Sequence, residues 1–272
     1  MAQPQFMTIR QNTSLAFRHD GKPDTANGPT GLFWLGGFMS DMEGSKAQTL
    51  ADLAIKQDRP NLRFDYSGHG QSTGQFRDGT ISKWLEESVA VFKGQTCGPR
   101  VIIGSSMGGW LALLMYRYLQ AASPQTANRI KGLVLIAPAA DMTTKLMWDK
   151  YDDPVRREIT KAGFFAEPSA YGDQPYIITR QLIQDGKQHS LLEAGVEVSC
   201  PVRILQGEED PDVSWQHGLE VYRAIAGDDV TFSLIKSGDH RLSTPRDLEI
   251  LRQTCRQLFA LAEHADGGKQ GG

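Results

Sequence analysis

Residues 103–109 read Ile103-Gly104-Ser105-Ser106-Met107-Gly108-Gly109, directly after the apolar run Val101-Ile102 and directly before an amphipathic stretch over 107–121. The order is strand, Gly-x-Ser-x-Gly turn, helix. A serine hydroxyl is a poor nucleophile until a base removes its proton, and a sharp strand-to-helix turn projects Oγ where a distant histidine can reach it. Gly104 and Gly108 are small enough to let strand and helix approach for such a turn. The competing reading, a glycine-rich strand end or phosphate loop, requires none of this order, and all of it is present. Ser106 is therefore the candidate nucleophile.

Working outward, short apolar or β-branched runs alternate with helical patterns, the signature of βαβ units and a mostly parallel sheet. Strands are expected at 6–10 and 14–18 as an opening hairpin, then at 31–37, 61–67, 100–105, 132–138, 202–207 and 230–236. The middle runs are almost continuously apolar, as expected when helices cover both faces. Helical spacing marks 43–56, 81–92, 107–121, 215–226 and 245–264. The fold class is α/β, an open sheet of about eight strands with helices on both faces. Segment 141–199 breaks the rhythm, with helices expected at 153–161 and 175–184, and reads as a small helical cap inserted over the sheet's carboxyl edge, where open α/β sheets bind ligands. The expected division is a core of 1–140 plus 200–264, a cap of 141–199, and a disordered tail of 265–272.

With Ser106 as nucleophile, this architecture requires an acid and then a histidine later in the chain, each at a strand end. After the 202–207 strand comes Glu208-Glu209-Asp210-Pro211-Asp212, and after the 230–236 strand comes Ser237-Gly238-Asp239-His240. Asp210 is preferred as the acid over Glu208, Glu209 and Asp212, whose bland reading is a solvated acidic loop. His240 is preferred as the base. It would take the Ser106 proton and return it to the leaving group, while Asp210 fixes the imidazole tautomer. His217 and His264 read as solvent-facing; His69, in a loop near the sheet's carboxyl edge, is the competitor for the base and reads as a residue supporting the site from behind or as loop structure, because it precedes Ser106. Two backbone N–H groups must meet the developing oxyanion; the expected donors are Met107, after the nucleophile, and Phe38, in the loop Gly36-Gly37-Phe38-Met39. The stretch Asp65-Tyr66-Ser67-Gly68-His69-Gly70-Gln71-Ser72 lacks the basic residue of a phosphate loop and reads as a tight turn.

Composition narrows the partners. Lys+Arg 29 against Asp+Glu 32 gives a net charge of −3, with no positive excess to gather nucleic acid. No window approaches the ~18 apolar residues of a membrane span. Cys97, Cys200 and Cys255 are scattered, fitting neither a disulfide framework nor paired metal ligands, and no His, Cys or carboxylate spacing suggests a metal site. The N-terminal residues show neither secretory signal nor Arg-rich transit peptide, so a cytoplasmic location is expected. No cofactor is called for.

Gly104-Ser105-Ser106-Met107-Gly108, Asp210 and His240, with Asp65-x-x-Gly68-x-Gly70-x-Ser72 upstream, resemble the α/β-hydrolase superfamily across nearly the whole chain. More narrowly, Gly37-Phe38-Met39-Ser40-Asp41-Met42-Glu43-Gly44-Ser45-Lys46, Arg63-Phe64-Asp65-Tyr66-Ser67-Gly68 and Gly104 through Trp110 are similar to the mitochondrial palmitoyl-protein thioesterase and acyl-glucuronide esterase subgroup. The resemblance implies an α/β-hydrolase fold, Ser106 as nucleophile, Asp210 as acid, His240 as base, and a cap over an acyl-accepting pocket. Met142, Leu146, Met147, Trp148, Phe164, Phe165, Tyr171 and Tyr176 either line that pocket or form cap core. The expected activity is a serine hydrolase cleaving small or protein-borne carboxylic esters or thioesters through an acyl-enzyme. A peptidase or carbon–carbon bond hydrolase would use the same triad. A non-catalytic binding protein would normally have lost one triad member, and here all three are present. Serine rather than aspartate at 106 disfavours dehalogenase chemistry.

Overall fold

The computed structural model describes residues 3–168 and 175–267, the last three by backbone only. The hairpin β1 (Gln5–Arg10) and β2 (Thr13–Gly21) opens the chain, followed by β3 (Gly31–Leu35), α1 (Ser45–Lys56), β4 (Pro60–Phe64), α2 (Ile81–Gln95), β5 (Arg100–Ser105), α3 (Met107–Ala122), the short α4 (Pro124–Ala127) and β6 (Ile130–Ile136). After an intervening segment come β10 (Val202–Gly207), α7 (Trp215–Ala224), β12 (Val230–Ile235) and α8 (Pro245–Gly267). The eight sheet strands run in the order β1-β2-β4-β3-β5-β6-β10-β12. All pairs from β4 to β12 are parallel; only the β1–β2 and β2–β4 pairs are antiparallel.

Central strands such as β3 and β5 are buried at every position. Their side chains alternate between two packed layers, as the period of two requires. Ile102 joins Trp84 of α2 and Trp110 of α3 on one face, while Val101 and Ile103 join Leu50 of α1 and Leu258 of α8 on the other. Thr80 caps α2, its Oγ1 accepting from the Lys83 N–H at 3.1 Å. All the parallel strands therefore present their carboxyl ends, and the loops carrying Ser106, Asp210 and His240, on one edge.

The 137–201 segment contains a π-helical turn (Met142–Trp148), α5 (Asp153–Ala162), β7 (Phe164–Glu167), β8 (Tyr176–Thr179), α6 (Arg180–Gly186) and β9 (Val196–Glu197), which pairs with β11 (Ile225–Ala226). The helix expected at 175–184 is corrected here. Tyr176-Ile177-Ile178-Thr179 is a strand paired antiparallel to β7, and only from Arg180 does the chain turn helical, with Thr179 Oγ1 accepting from the Leu182 N–H at 3.1 Å. The helix expected at 215–226 stops at Ala224, its last two residues forming β11, and that expected from 43 begins at Ser45. α8 runs on to Gly267, past the boundary expected at His264. Ile159, Ile178, Leu182 and Leu191 pack in the same apolar cluster as Trp84 and Trp110, so this segment shares the core of the sheet domain.

Asp141 ties the two ends of that segment together. Its backbone is left-handed, with φ 54, and its buried carboxylate accepts from the Leu191 N–H (2.7 Å), the Ser190 hydroxyl (2.7 Å) and the Leu192 N–H (3.2 Å). Asp141→Ala is expected to destabilise the protein by about 2–3 kcal/mol, because buried donors lose their acceptor. Asp141→Asn, which tolerates the same backbone, should cost less. Chemical denaturation with amide exchange at 190–192 checks this; unchanged protection there would contradict it.

Candidate active site

Ser106 stands at the turn between β5 and α3 with φ 55 and ψ −119, a backbone region that side-chain-bearing residues rarely adopt. Its surroundings hold it there. Its N–H donates to the Ile136 carbonyl at 2.8 Å, and its carbonyl accepts from the N–H groups of Gly109 (2.9 Å) and Ala139 (3.1 Å). A Cβ at Gly104 would overlap the Gly108 carbonyl oxygen, and one at Gly108 would overlap that of Leu35.

His240 Nε2 lies 3.1 Å from Ser106 Oγ, and His240 Nδ1 lies 2.8 Å from Asp210 Oδ2. A carboxylate only accepts, so Nδ1 carries the proton and Nε2 offers its lone pair to the serine hydroxyl. The Asp210 side chain is fully buried. Oδ1 accepts from the N–H groups of Asp212 (2.9 Å) and Val213 (2.8 Å), and Oδ2 also accepts from Gln206 Nε2 (3.2 Å). The rival acids are elsewhere. Glu208 pairs with Lys236 at 2.7 Å, Glu209 is exposed, and Asp212 meets Asp210 through its backbone. Asp239 turns away, accepting from the Leu242 N–H at 2.8 Å. Asp210, Asp212 and His240 bring donor atoms within 4.8 Å of one another, but both His240 nitrogens are already engaged by Asp210 and Ser106.

The 36–44 loop passes over Ser106. A Cβ on Gly37 would lie 3.2 Å from the Ser105 carbonyl oxygen and 3.4 Å from Ser106 Cβ, a closeness that glycine allows. Several buried groups fix this loop. Tyr66 donates its hydroxyl to the Gly36 carbonyl (3.2 Å), Asp65 Oδ1 accepts from the Met42 N–H (2.7 Å), and Arg63 donates to the Met42 carbonyl (2.7 Å). Asp65 also accepts from the Gln71 N–H at 2.9 Å, which makes 65–72 the tight turn expected from its sequence. The Phe38 ring is wedged edge-on among Phe76, Trp84 and Tyr176. Phe38 and Met107, the expected oxyanion donors, thus flank Ser106, and among the described residues neither backbone N–H donates to a protein acceptor.

His69 is buried beneath this loop. Its Nδ1–H donates to the Ser67 carbonyl at 3.3 Å, leaving Nε2 to accept the Met39 N–H at 3.3 Å, where Met39 has φ 56. Burial among aromatic rings pushes its pKa down to about 4, so the ring is neutral. Protonation would set an N–H against the Met39 N–H. An unfolded histidine takes up its proton near 6.5 and the folded one near 4, so this contribution is complete above pH ~6.5 and is lost as pH falls toward 4. Between pH 7.5 and 4.5 the native protein is expected to lose about 2.5 kcal/mol more stability than His69→Gln. Denaturation curves at both pH values measure the difference, and equal losses would contradict it.

A cleft of about 590 Å³ opens above Ser106 and His240. Phe38, Met142, Leu146, Met147, Tyr176 and Val213 supply apolar lining. Of the aromatic and methionine residues weighed from sequence, Trp148 instead faces Arg156 and Lys187, Phe165 packs on Tyr151, Phe164 is partly exposed beneath Arg77, and Tyr171 lies outside the described residues. His217 is corrected as well: it is buried, 6% exposed, on the inward face of α7, whereas His264 is exposed as expected. Sequence reasoning missed Gln206, Phe76 and Trp84, since nothing local distinguishes them from ordinary core residues.

The sequence profile of the α/β hydrolase family matches residues 26–250. The chain belongs to this family. It is 34% identical over 92% of its length to the mitochondrial palmitoyl-protein thioesterase ABHD10 of Mus musculus, covering 84% of that protein. Among solved structures, a protein of Agrobacterium vitis S4 with a provisional hydrolase assignment superposes with a TM-score of 0.89 at 40% identity, over 94% of this chain and 98% of that one. Alpha/beta hydrolase domain-containing protein 10 from mouse superposes with a TM-score of 0.82 at 30% identity, over 95% and 99%.

Proposed function

We propose that this protein is a serine hydrolase that cleaves carboxylic esters or acyl thioesters through an acyl-enzyme on Ser106. The observation that supports this most is the unbroken hydrogen-bond chain Ser106–His240–Asp210 at the floor of the cleft. As Ser106 Oγ bonds to the acyl carbon, its proton passes to His240 Nε2, and Asp210 stabilises the resulting imidazolium. The carbonyl oxygen, now negative, takes the N–H groups of Phe38 and Met107. Collapse breaks the bond to the leaving oxygen or sulfur, which receives the proton from His240. Water, deprotonated by the same nitrogen, then releases the acid and restores Ser106.

The apolar lining of Met142, Leu146, Met147 and Tyr176 suits an acyl group, and the 141–199 segment serves in this reading as a cap over it. The relative's name, palmitoyl-protein thioesterase, favours acylated proteins or small acyl esters and thioesters as substrates. Among the described residues no helix is long and apolar enough to cross a membrane. A cytoplasmic location remains part of the proposal; the curated relative is named as mitochondrial. The test is hydrolysis of matched oxygen esters and thioesters from acetyl to palmitoyl, with Ser106→Ala as control. A Ser106-dependent rise toward long thioesters supports depalmitoylation; activity on short oxygen esters alone narrows the substrate to small esters; no Ser106-dependent turnover overturns the reading.

A further inference from the structure

The Phe38 N–H is aimed by groups that take no part in the bond-making steps. Three successive peptide units run past Ser106 between Gly36 and Met39, and each has one polar group held from outside it. The Gly36 carbonyl accepts the Tyr66 hydroxyl at 3.2 Å, the Gly37 carbonyl accepts the Ser40 N–H (3.2 Å) and the Ser40 hydroxyl (2.8 Å), and the Met39 N–H donates to His69 Nε2 at 3.3 Å. In a trans peptide the N–H points opposite to the carbonyl of the same unit, so holding the Gly37 carbonyl and the unit after it sets the direction of the Phe38 N–H.

Met39 is the residue of this loop least able to stay in place unaided. Its φ of 56 is costly for a residue with a side chain, and that side chain is 42% exposed, so packing does not fix it. The bond to the buried His69 ring does. Centroids of the Phe76 and Trp84 rings, against which Phe38 is wedged, each lie 5.2 Å from that of His69, so one side chain supports both the backbone and the aromatic ring of the loop. His69 is itself pinned. Its N–H donates to the Tyr66 carbonyl and its carbonyl accepts the Ser72 N–H, both at 3.0 Å, while Nδ1–H is spent on the Ser67 carbonyl and leaves Nε2 as the acceptor. A carboxylate in its place would bury a charge among the rings.

We propose that His69, backed by Tyr66, is a positioning residue for catalysis: by accepting the Met39 N–H it holds the Phe38 N–H toward the oxygen that turns negative when Ser106 adds to the substrate carbonyl. This rests on the hydrolase reading. The contribution arises only once the oxyanion forms, so it speeds acyl transfer and leaves binding of the unreacted substrate nearly unchanged. A mere packing role differs: its loss lowers the amount of folded protein and leaves the kcat of each folded molecule intact.

The experiment compares His69→Gln with His69→Asn on whichever ester or thioester of the acetyl-to-palmitoyl series the native protein cleaves fastest, with Ser106→Ala as control. Glutamine sets Oε1 where Nε2 stood and can accept the Met39 N–H; asparagine reaches only as far as Nδ1 and cannot. In His69→Asn kcat is expected to fall about 30-fold with KM within about twofold, and in His69→Gln to stay within about threefold of native. A trifluoromethyl ketone with the same acyl chain gives a readout independent of how much protein folds. Ser106 Oγ adds to its carbonyl carbon, the hydroxyl proton passes to His240 Nε2, and the ketone oxygen becomes an alkoxide facing the Phe38 and Met107 N–H groups. Its Ki should weaken about 30-fold in His69→Asn, whereas the corresponding secondary alcohol, which forms no oxyanion, should bind within about twofold of native in both variants. If His69→Asn yields no folded protein, Tyr66→Phe, which loses the Gly36 bond and keeps its ring, is expected to lower kcat about fivefold at unchanged KM. Native kcat and ketone Ki in the variant measured, or equal losses in His69→Asn and His69→Gln, overturn the positioning role while the hydrolase reading stands. If the native protein shows no Ser106-dependent turnover, both fall.

Discussion

Ser106→Ala is expected to lower kcat/KM on any ester that the native protein cleaves by at least about 10⁴-fold, with the folded structure retained. The hydroxyl is the only group that the chemistry removes; the turn itself is held by backbone bonds from Ile136, Gly109 and Ala139, which alanine keeps. His240→Ala should cost about as much, and the double change little more than either alone, because serine and histidine act as one unit. A second readout separates chemistry from folding. Ser106→Gly should be inactive yet more stable than the native protein by about 1 kcal/mol, since glycine adopts φ 55, ψ −119 without steric cost. A destabilised glycine variant would show that the turn is not strained, and full activity in the alanine variant would end the assignment of Ser106.

Gly108→Ala is expected to prevent stable folding, with a loss of about 3 kcal/mol or more. The added Cβ would overlap the Leu35 carbonyl oxygen and lie 2.6 Å from that of Gly36, both backbone atoms of β3 and the loop after it. No rotamer change relieves a backbone clash, so α3 would have to lift from the sheet and take Trp110 and Leu111 of the core with it. Denaturant unfolding checks the figure. As a contrast, Gly163→Ala should cost much less, because nothing lies within 4 Å of its Cβ and only its φ of 89 opposes the substitution. Similar losses at the two positions would contradict the close strand–helix approach.

The eight sheet strands were legible because the central ones are buried on both faces and read as unbroken apolar runs. The juxtaposition of Ser106, His240 and Asp210 was legible because each follows the end of a strand, which places residues far apart in sequence on one edge. Tyr176-Ile177-Ile178-Thr179 was misread as helix because its strand character depends on pairing with β7, a partner that local periodicity does not reveal. His217 was misread because α7 turns that face inward against β10 and β12, and a helix start in sequence gives no direction. The contact between Lys46 and Arg241 joins residues 195 apart and leaves no local pattern at either end. His69, set aside for its place in the chain order, proves to hold the Met39 amide through a tautomer that only its two hydrogen bonds define.

The most direct test of the central claim is intact-mass analysis after incubation with a fluorophosphonate, followed by peptide mapping. A single adduct on Ser106, absent in Ser106→Ala and in His240→Ala, is the predicted result. Folded protein that takes no label, or takes it at another residue while ester turnover persists in Ser106→Ala, would contradict the triad assignment.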